Sequence, residues 1–426
     1  MRTVGITAEY NPLHTGHRYH IEESKRLAGA DGAVVVMSGA CVQRGGWASF
    51  GKRFRAASAV TAGADLVLEL PYPYSGQSAE TFADGAVRTL VRAGVDAISF
   101  GSESGDIAGL SEAAKILTDE PASFRQALAS GLKNGLSFPA AREAALYEVD
   151  PDASALLSSP NNILGVEYLK AVLRGGFSVD AVTVRRAGAG YHDLDTQRSF
   201  ASASAIRKMI ASGDSGPISE FIPLDALSGG TDTGKLLRSE YLAPKHGAAE
   251  AAVLSRLLAS TPESLAAYPS MTGGLPERLI REAGRIAVSG ESLSELIRAV
   301  KSRGLTWTAI ERSLTALLMD AERDMLAPFV KEDYVPYLRA LAFNDTGRKI
   351  LRDLKEREIP VIGTPSTDLK LLNETQQKCW ALESRACDLQ GLFYKAPREQ
   401  LYPNDFGPGS MNRSVPLYFP GDGCPG

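Results

Sequence analysis

The amino-acid sequence predicts an α/β fold, with a parallel sheet in the first half of the chain and a mainly α-helical C-terminal region. Three observations carry this. Short apolar runs alternate with amphipathic stretches over the first hundred or so residues. The run Ala33-Val34-Val35-Val36-Met37 is continuously apolar, as a strand buried on both faces must be. In the second half, apolar residues recur at helical spacing, as at Leu293, Leu296, Ile297 and Val300.

In order along the chain, Val4 to Ala8 reads as the first strand and His17 to Leu27 as the first helix. Ala33 to Met37 is the second strand and Phe54 to Ala62 the second helix. Asp65 to Leu70 is a third strand, stopped by Pro71; Ala79 to Ala93 is a helix and Ala97 to Phe100 a fourth strand, ended by Gly101. Strands and helices alternating at this spacing imply right-handed βαβ units. From Ile107 to Gly175 the pattern is mostly helical, followed by a strand over Val179 to Arg185 and a helix over Ser202 to Ser212. The length of 426 residues calls for more than one core. The expected division is an α/β unit over 1–220, a helical unit over 221–400, and a Pro/Gly-rich tail over 401–426 that is disordered or loosely docked.

Composition excludes several classes. An apolar content of 44% with 23% charged residues is that of a soluble globular protein, and a net charge of −4 leaves no general positive field, so any nucleic-acid contact must come from a local patch. The four cysteines, Cys41, Cys379, Cys387 and Cys424, form no C-x-x-C pair, which argues against a zinc ribbon or thioredoxin motif. Cys41 is expected to be a buried small apolar residue. No leader-like start and no bilayer-length apolar run is evident, so a cytoplasmic location without membrane contact is expected.

The strongest local signal is Glu9-Tyr10-Asn11-Pro12-Leu13-His14-Thr15-Gly16-His17, between the first strand and first helix. Ligands of open parallel sheets bind at the carboxyl ends of strands, and a helix entrance offers unpaired N–H groups to phosphate. Pro12 fixes the chain's approach, Gly16 lets a phosphate come close, and His14 and His17, three apart, can face one side of the entering turn. Three of the chain's five histidines (His14, His17 and His20) fall in this window. Metal ligation is an alternative, but no carboxylate or cysteine at compatible spacing completes a zinc set; capping or surface roles are another. Farther on, Ser202-Ala203-Ser204-Ala205-Ile206-Arg207 opens a helix. Its serines can simply cap that helix, or Ser204 and Arg207 can donate to the β- and γ-phosphates.

His14-Thr15-Gly16-His17 together with the Ser202–Arg207 stretch resembles the paired motifs of the nucleotidyltransferase superfamily, which has a Rossmann-like fold. The series Ala8 to His17, Val36-Met37-Ser38-Gly39, Val42-Gln43-Arg44-Gly45, Leu68-Glu69-Leu70-Pro71, Gln77-Ser78-Ala79-Glu80, Ser99-Phe100-Gly101-Ser102-Glu103, Ser159 to Leu164 and Gly188-Ala189-Gly190-Tyr191-His192 is similar to the bacterial tRNA(Met) cytidine acetate ligase family. So is Leu338 to Gly347. The resemblance departs at Gly46-Trp47, where an acidic residue and proline are usual, and at Gly51-Lys52, where Asp-Lys is usual.

The resemblance implies that acetate and ATP give acetyl-adenylate and pyrophosphate, and that the acetyl group then passes to the exocyclic amine of the wobble cytidine of elongator tRNA(Met). It implies an ATP cradle within residues 7–20 (Thr7, Ala8, Glu9, Tyr10, Asn11, Pro12, His14, Gly16, His17, His20), completed by Gly101, Asn161 and Arg186, with His14 and His17 meeting the triphosphate and Mg2+ accompanying ATP. A tRNA surface is also required. Arg278, Arg281 and Arg285 share a helix face, with Lys301, Arg303 and Arg312 nearby in sequence, and Lys52, Arg53 and Arg55 form a second basic group. The alternatives are adenylylation of a small molecule, which needs far less chain, and a non-catalytic nucleotide- or RNA-binding protein, which has no need of both histidines.

Overall fold

A computed structural model describes residues 1–136, 138–186, 201–213, 218–224, 227, 232–302, 304–395 and 415–421. Its first half holds five parallel strands, β1 (Thr3–Ala8), β2 (Gly32–Ser38), β3 (Leu66–Leu70), β4 (Ala97–Ser102) and β5 (Asp180–Arg185), side by side in the order β3-β2-β1-β4-β5. The order reverses beside β1, so a crevice opens at the carboxyl ends of β1 and β4. β2 is buried along its whole length. Its side chains alternate as a pleat demands: Val34 and Val36 enter the core on one face, and Ala33, Val35 and Met37 the core on the other. One continuous apolar run thus serves two cores.

The first helix, α1 (Thr15–Ala28), follows β1 directly, and the second, α2 (Lys52–Thr61), follows β2 after a long loop. After β3 come a single helical turn, α3 (Tyr72–Ser75), and α4 (Ala79–Arg92). Residues 107–174 form a helical group whose last member, Pro160–Arg174, packs on α4.

The second half is largely helical, with its own core of Leu257, Leu279, Ile286, Leu296, Ile310 and Leu314 among others. It also returns to the sheet. The strand Leu338–Asn344, in a stretch read from periodicity only as part of a helical region, pairs antiparallel with β3. Leu417–Phe419, within the expected loose tail, pairs parallel with that strand at the sheet's edge.

The long helix Glu374–Phe393 reaches back too. Its Glu383 is fully buried and accepts from the backbone N–H of Ala40, after β2, and of Tyr72, after β3, each at 2.8 Å. A Cβ on Gly39 would lie 2.2 Å from that carboxylate, so only glycine fits there. Around Glu383 lies a buried charge cluster: Lys52 Nζ is 2.7 Å from Glu69 and 3.5 Å from Glu383, and Arg339 Nη1 is 3.0 Å from Glu69. Burial disfavours both carboxylates; Arg339 and Lys52 overcome this at Glu69 and hold it below the usual carboxylate range, whereas burial and the charge of Glu69 push Glu383 up. Cys41 is buried, as expected, and burial raises its thiol well above the usual range.

This geometry corrects one expectation. Lys52 and Arg55 are almost wholly buried, Lys52 in the charge cluster and Arg55 among backbone carbonyls, so neither can meet an RNA backbone. A long cation with every charged atom satisfied inside the protein has nothing left to offer a phosphate at the surface.

Candidate nucleotide site

A cavity of about 560 Å³ lies in the crevice predicted by the strand order. The β1–α1 loop forms its floor. Tyr10 takes a left-handed backbone conformation (φ 48°), a position that favours glycine, and its buried ring stands edge-on to His17 with centroids 5.0 Å apart. His14 is the N-cap of α1: its Nδ1 accepts from the Gly16 N–H at 3.1 Å, while its own N–H donates to His17 Nδ1 at 3.2 Å. The two imidazoles stack at 3.7 Å.

These bonds fix the chemistry of both rings. With each Nδ1 lone pair engaged by a backbone N–H, the neutral imidazole carries its proton on Nε2. Both rings line the cavity, which makes them preorganised donors. Burial first, then Arg186, brings His14 down to about 4. Burial, then the charges of His14, His20 and Arg186, takes His17 well below its usual value. Burial and Arg186 bring His20 to about 4 against a hydrogen bond with the Phe100 backbone.

The linkage has a definite sign. The unfolded chain protonates His14 and His20 near pH 6.5 and the folded chain only around pH 4, so the unfolded state binds more protons between those limits. Unfolding free energy, measured by denaturant titration without nucleotide, should therefore fall as pH drops from about 6.5 to about 4. The expected slope from these groups is up to about 1.4 kcal/mol per pH unit for each histidine. A flat profile there would contradict the neutral assignment.

Further wall residues come from β4, the end of β5 and two later helices. Gly101 is the penultimate residue of β4, and an added Cβ would stand a tight 3.3 Å from Arg186 Cγ, so the bare glycine eases the arginine's approach to the cavity. Asn161 opens the helix Pro160–Arg174 and donates through Nδ2 to Glu103 at 2.7 Å. Glu103 also takes the Asn162 N–H at 2.9 Å, while Asn162 Oδ1 accepts from the Glu103 N–H at 3.0 Å, a reciprocal lock between β4 and that helix. Arg207 donates to the Asn11 carbonyl and faces the cavity.

Thr7, Ala8, Glu9, Tyr10, Asn11, His14, Gly16, His17, His20, Gly101, Asn161, Arg186 and Arg207 thus gather on one cavity. Pro12 and Ser204 do not line it. Ser204 instead accepts from Arg207 Nη2 at 3.1 Å, and Ser202 caps its helix by accepting the Ala205 N–H. Sequence reasoning assigned no role to Gln43, Arg44, Phe82, Tyr168 or Arg185, which also face the cavity. The available signal was the Val42-Gln43-Arg44-Gly45 stretch itself, where Gly45 and the following Gly46 take positive φ and turn the loop back.

The basic residues of the helical region stand elsewhere. Arg281 and Arg285 project from the helix Leu275–Ser289 and pair with Glu282, Arg285 also with Glu291. Arg278 is half-buried on the same helix, Lys301 is exposed at the end of the next, and Arg303 lies outside the described residues.

Comparison with known proteins fits the geometry. The family described as HIGH Nucleotidyl Transferase matches residues 1–405. The chain is 38% identical to the tRNA(Met) cytidine acetate ligase of Acetivibrio thermocellus, over 93% of this chain and 96% of the relative. It is 34% identical to the protein of the same name from Halothermothrix orenii, covering 95% and 98%. The crystal structure of Thermotoga maritima TmcAL bound with alpha-thio ATP superposes with a TM-score of 0.84 at 27% identity, covering 99% of this chain and 100% of that one.

Proposed function

The chain belongs to the HIGH nucleotidyl transferases, in the family of the tRNA(Met) cytidine acetate ligases, and from that premise we infer that it uses ATP to activate acetate and acetylates the wobble cytidine of elongator tRNA(Met). The observation that carries the reading is the pair of Nδ1-capped histidines on a cavity at the carboxyl ends of β1 and β4. In the first step an acetate oxygen attacks the α-phosphorus in line, and pyrophosphate leaves. This chemistry needs positioning and charge stabilisation more than a covalent residue. The Nε2–H groups of His14 and His17 donate to the phosphates, and Arg186 and Arg207 offset the repulsion between an anionic nucleophile and an anionic centre. In the second step the cytidine amine takes the acetyl group and AMP leaves, which requires the base to come out of its stack.

Magnesium is expected with ATP. Among the described residues no cluster of three or more His, Cys, Asp or Glu side chains could cage an ion, so the fit is to a magnesium carried by the phosphates and water, as magnesium commonly is. The outward Arg281 and Arg285 are proposed to exchange Glu282 and Glu291 for tRNA phosphates, joined by Arg278 on the same helix and Lys301 at the end of the next.

The test is release of pyrophosphate from ATP with and without acetate, followed by addition of unmodified tRNA(Met). Acetate-dependent release and N4-acetylcytidine in the digested tRNA are expected. Turnover with another acid in place of acetate would shift the reading to small-molecule adenylylation, and nucleotide binding without turnover would point to a binding protein.

A further inference from the structure

The cavity is built for anions, with Arg44, Arg185, Arg186 and Arg207 on its walls, yet Glu9 is also there. Among the described residues it is the one acidic side chain that lines the cavity. It directly follows β1 and is half-buried, open to the cavity. Its Oε1 accepts the Gln43 N–H at 2.8 Å, which ties the loop after β2 to the site. The charged and titratable groups near it are Arg55 on α2, Arg207 on the helix Ala203–Ala211 and Tyr168 on the helix Pro160–Arg174.

A carboxylate facing a triphosphate site weakens nucleotide binding by repulsion. Anchoring a loop needs only a neutral amide oxygen, so the negative charge calls for another role. The second half-reaction supplies one. The exocyclic amine of cytidine is a weak nucleophile, and its attack on the acetyl carbonyl must shed a proton. Most other acceptors in the cavity are closed off. The Nδ1 atoms of His14 and His17 hold backbone N–H groups, which leaves both rings as donors. The Nε2 of His20 and the hydroxyl of Tyr10 are buried out of reach. Burial raises Tyr168 far above its usual value, so its hydroxyl stays protonated.

We propose that Glu9 is the proton acceptor of acetyl transfer. This rests on the functional reading above. The cytidine nitrogen forms a bond to the acetyl carbon, the bond from that carbon to the AMP phosphate oxygen breaks with its electron pair leaving on AMP, and the nitrogen's proton passes to the second oxygen of Glu9.

The experiment separates the two half-reactions in Glu9→Gln, an isostere that still accepts the Gln43 N–H. Acetyl transfer from preformed acetyl-adenylate to tRNA, in single turnover, is expected to fall about 10²- to 10⁴-fold. Acetate-dependent ATP–pyrophosphate exchange should fall by a much smaller factor. Glu9→Asp should recover part of the transfer rate, and the acid limb of the transfer pH profile should be present in wild type and Glu9→Asp but missing in Glu9→Gln. Equal losses in both half-reactions would make Glu9 a nucleotide-positioning residue and overturn the proposal. Retained transfer would overturn it in favour of the departing phosphate as acceptor, and rescue by raised Mg2+ in favour of a metal-holding role. Wild-type enzyme without acetate-dependent exchange would bring down the functional reading and this proposal with it.

Discussion

Replacing His17 with alanine is expected to slow acetate-dependent pyrophosphate release by about 10²- to 10³-fold, and His14→Ala should do the same. Each removes one Nε2–H donor from a site where the donors are already aimed, held by backbone N–H groups on Nδ1 and by ring stacking at 3.7 Å. A loss this large cannot come from helix capping, whose removal costs about 0.5–2 kcal/mol in stability and leaves the protein folded. His14→Asn separates the two effects. Its side-chain oxygen can take over the Gly16 N–H and keep the cap, but it lacks the distal donor. Release rates should therefore fall for His14→Asn nearly as far as for His14→Ala, while thermal unfolding stays closer to wild type. Near-normal release in all these variants would remove the triphosphate assignment.

The second large effect is on stability. Arg55 is fully buried, and its guanidinium donates to the carbonyls of Phe50 at 2.9 Å, Glu9 at 2.9 Å and Ser38 at 2.8 Å, and to that of Gly39. Burial brings it down to about 10 despite Glu9, Glu383 and Glu69, so it stays cationic at neutral pH. Arg55→Met keeps the volume but strips these carbonyls of their donors, and a loss of about 3–5 kcal/mol in denaturant-measured stability is expected. Arg55→Lys should rescue little, because one ammonium cannot reach what a planar fork spans. A weakened tRNA affinity with unchanged stability in Arg55→Met would instead restore the RNA-contact reading.

Arg55 also shows where sequence reasoning stops. Lys52-Arg53-Phe54-Arg55 has the look of a surface charge run, and nothing in its spacing says that two of its cations point into carbonyls and carboxylates brought from elsewhere in the chain. The five parallel strands were legible because each carries a short run rich in apolar and β-branched residues, bounded by turn or helix signals close by in sequence. The β1–α1 loop was legible because its histidines, glycine and proline sit next to one another. Leu338–Asn344 was not, since its burial depends on pairing with β3 far away in sequence. The same holds for Gln43 and Arg44, whose approach to the cavity depends on Gly45 and Gly46 and on a contact of the Gly46 N–H with Thr315 in the second half.

That late strand has a consequence for biosynthesis. β3 emerges from the ribosome early, but the partner on its outer side, Leu338–Asn344, is made only after most of the remaining chain. At ordinary translation speeds the gap is on the order of tens of seconds. Throughout it, an apolar strand waits with one row of N–H and C=O groups unpaired, the arrangement most prone to cross-chain pairing. The nascent chain should lean on chaperone cover in that interval, and a fragment cut before residue 338 should precipitate instead of yielding a smaller working enzyme.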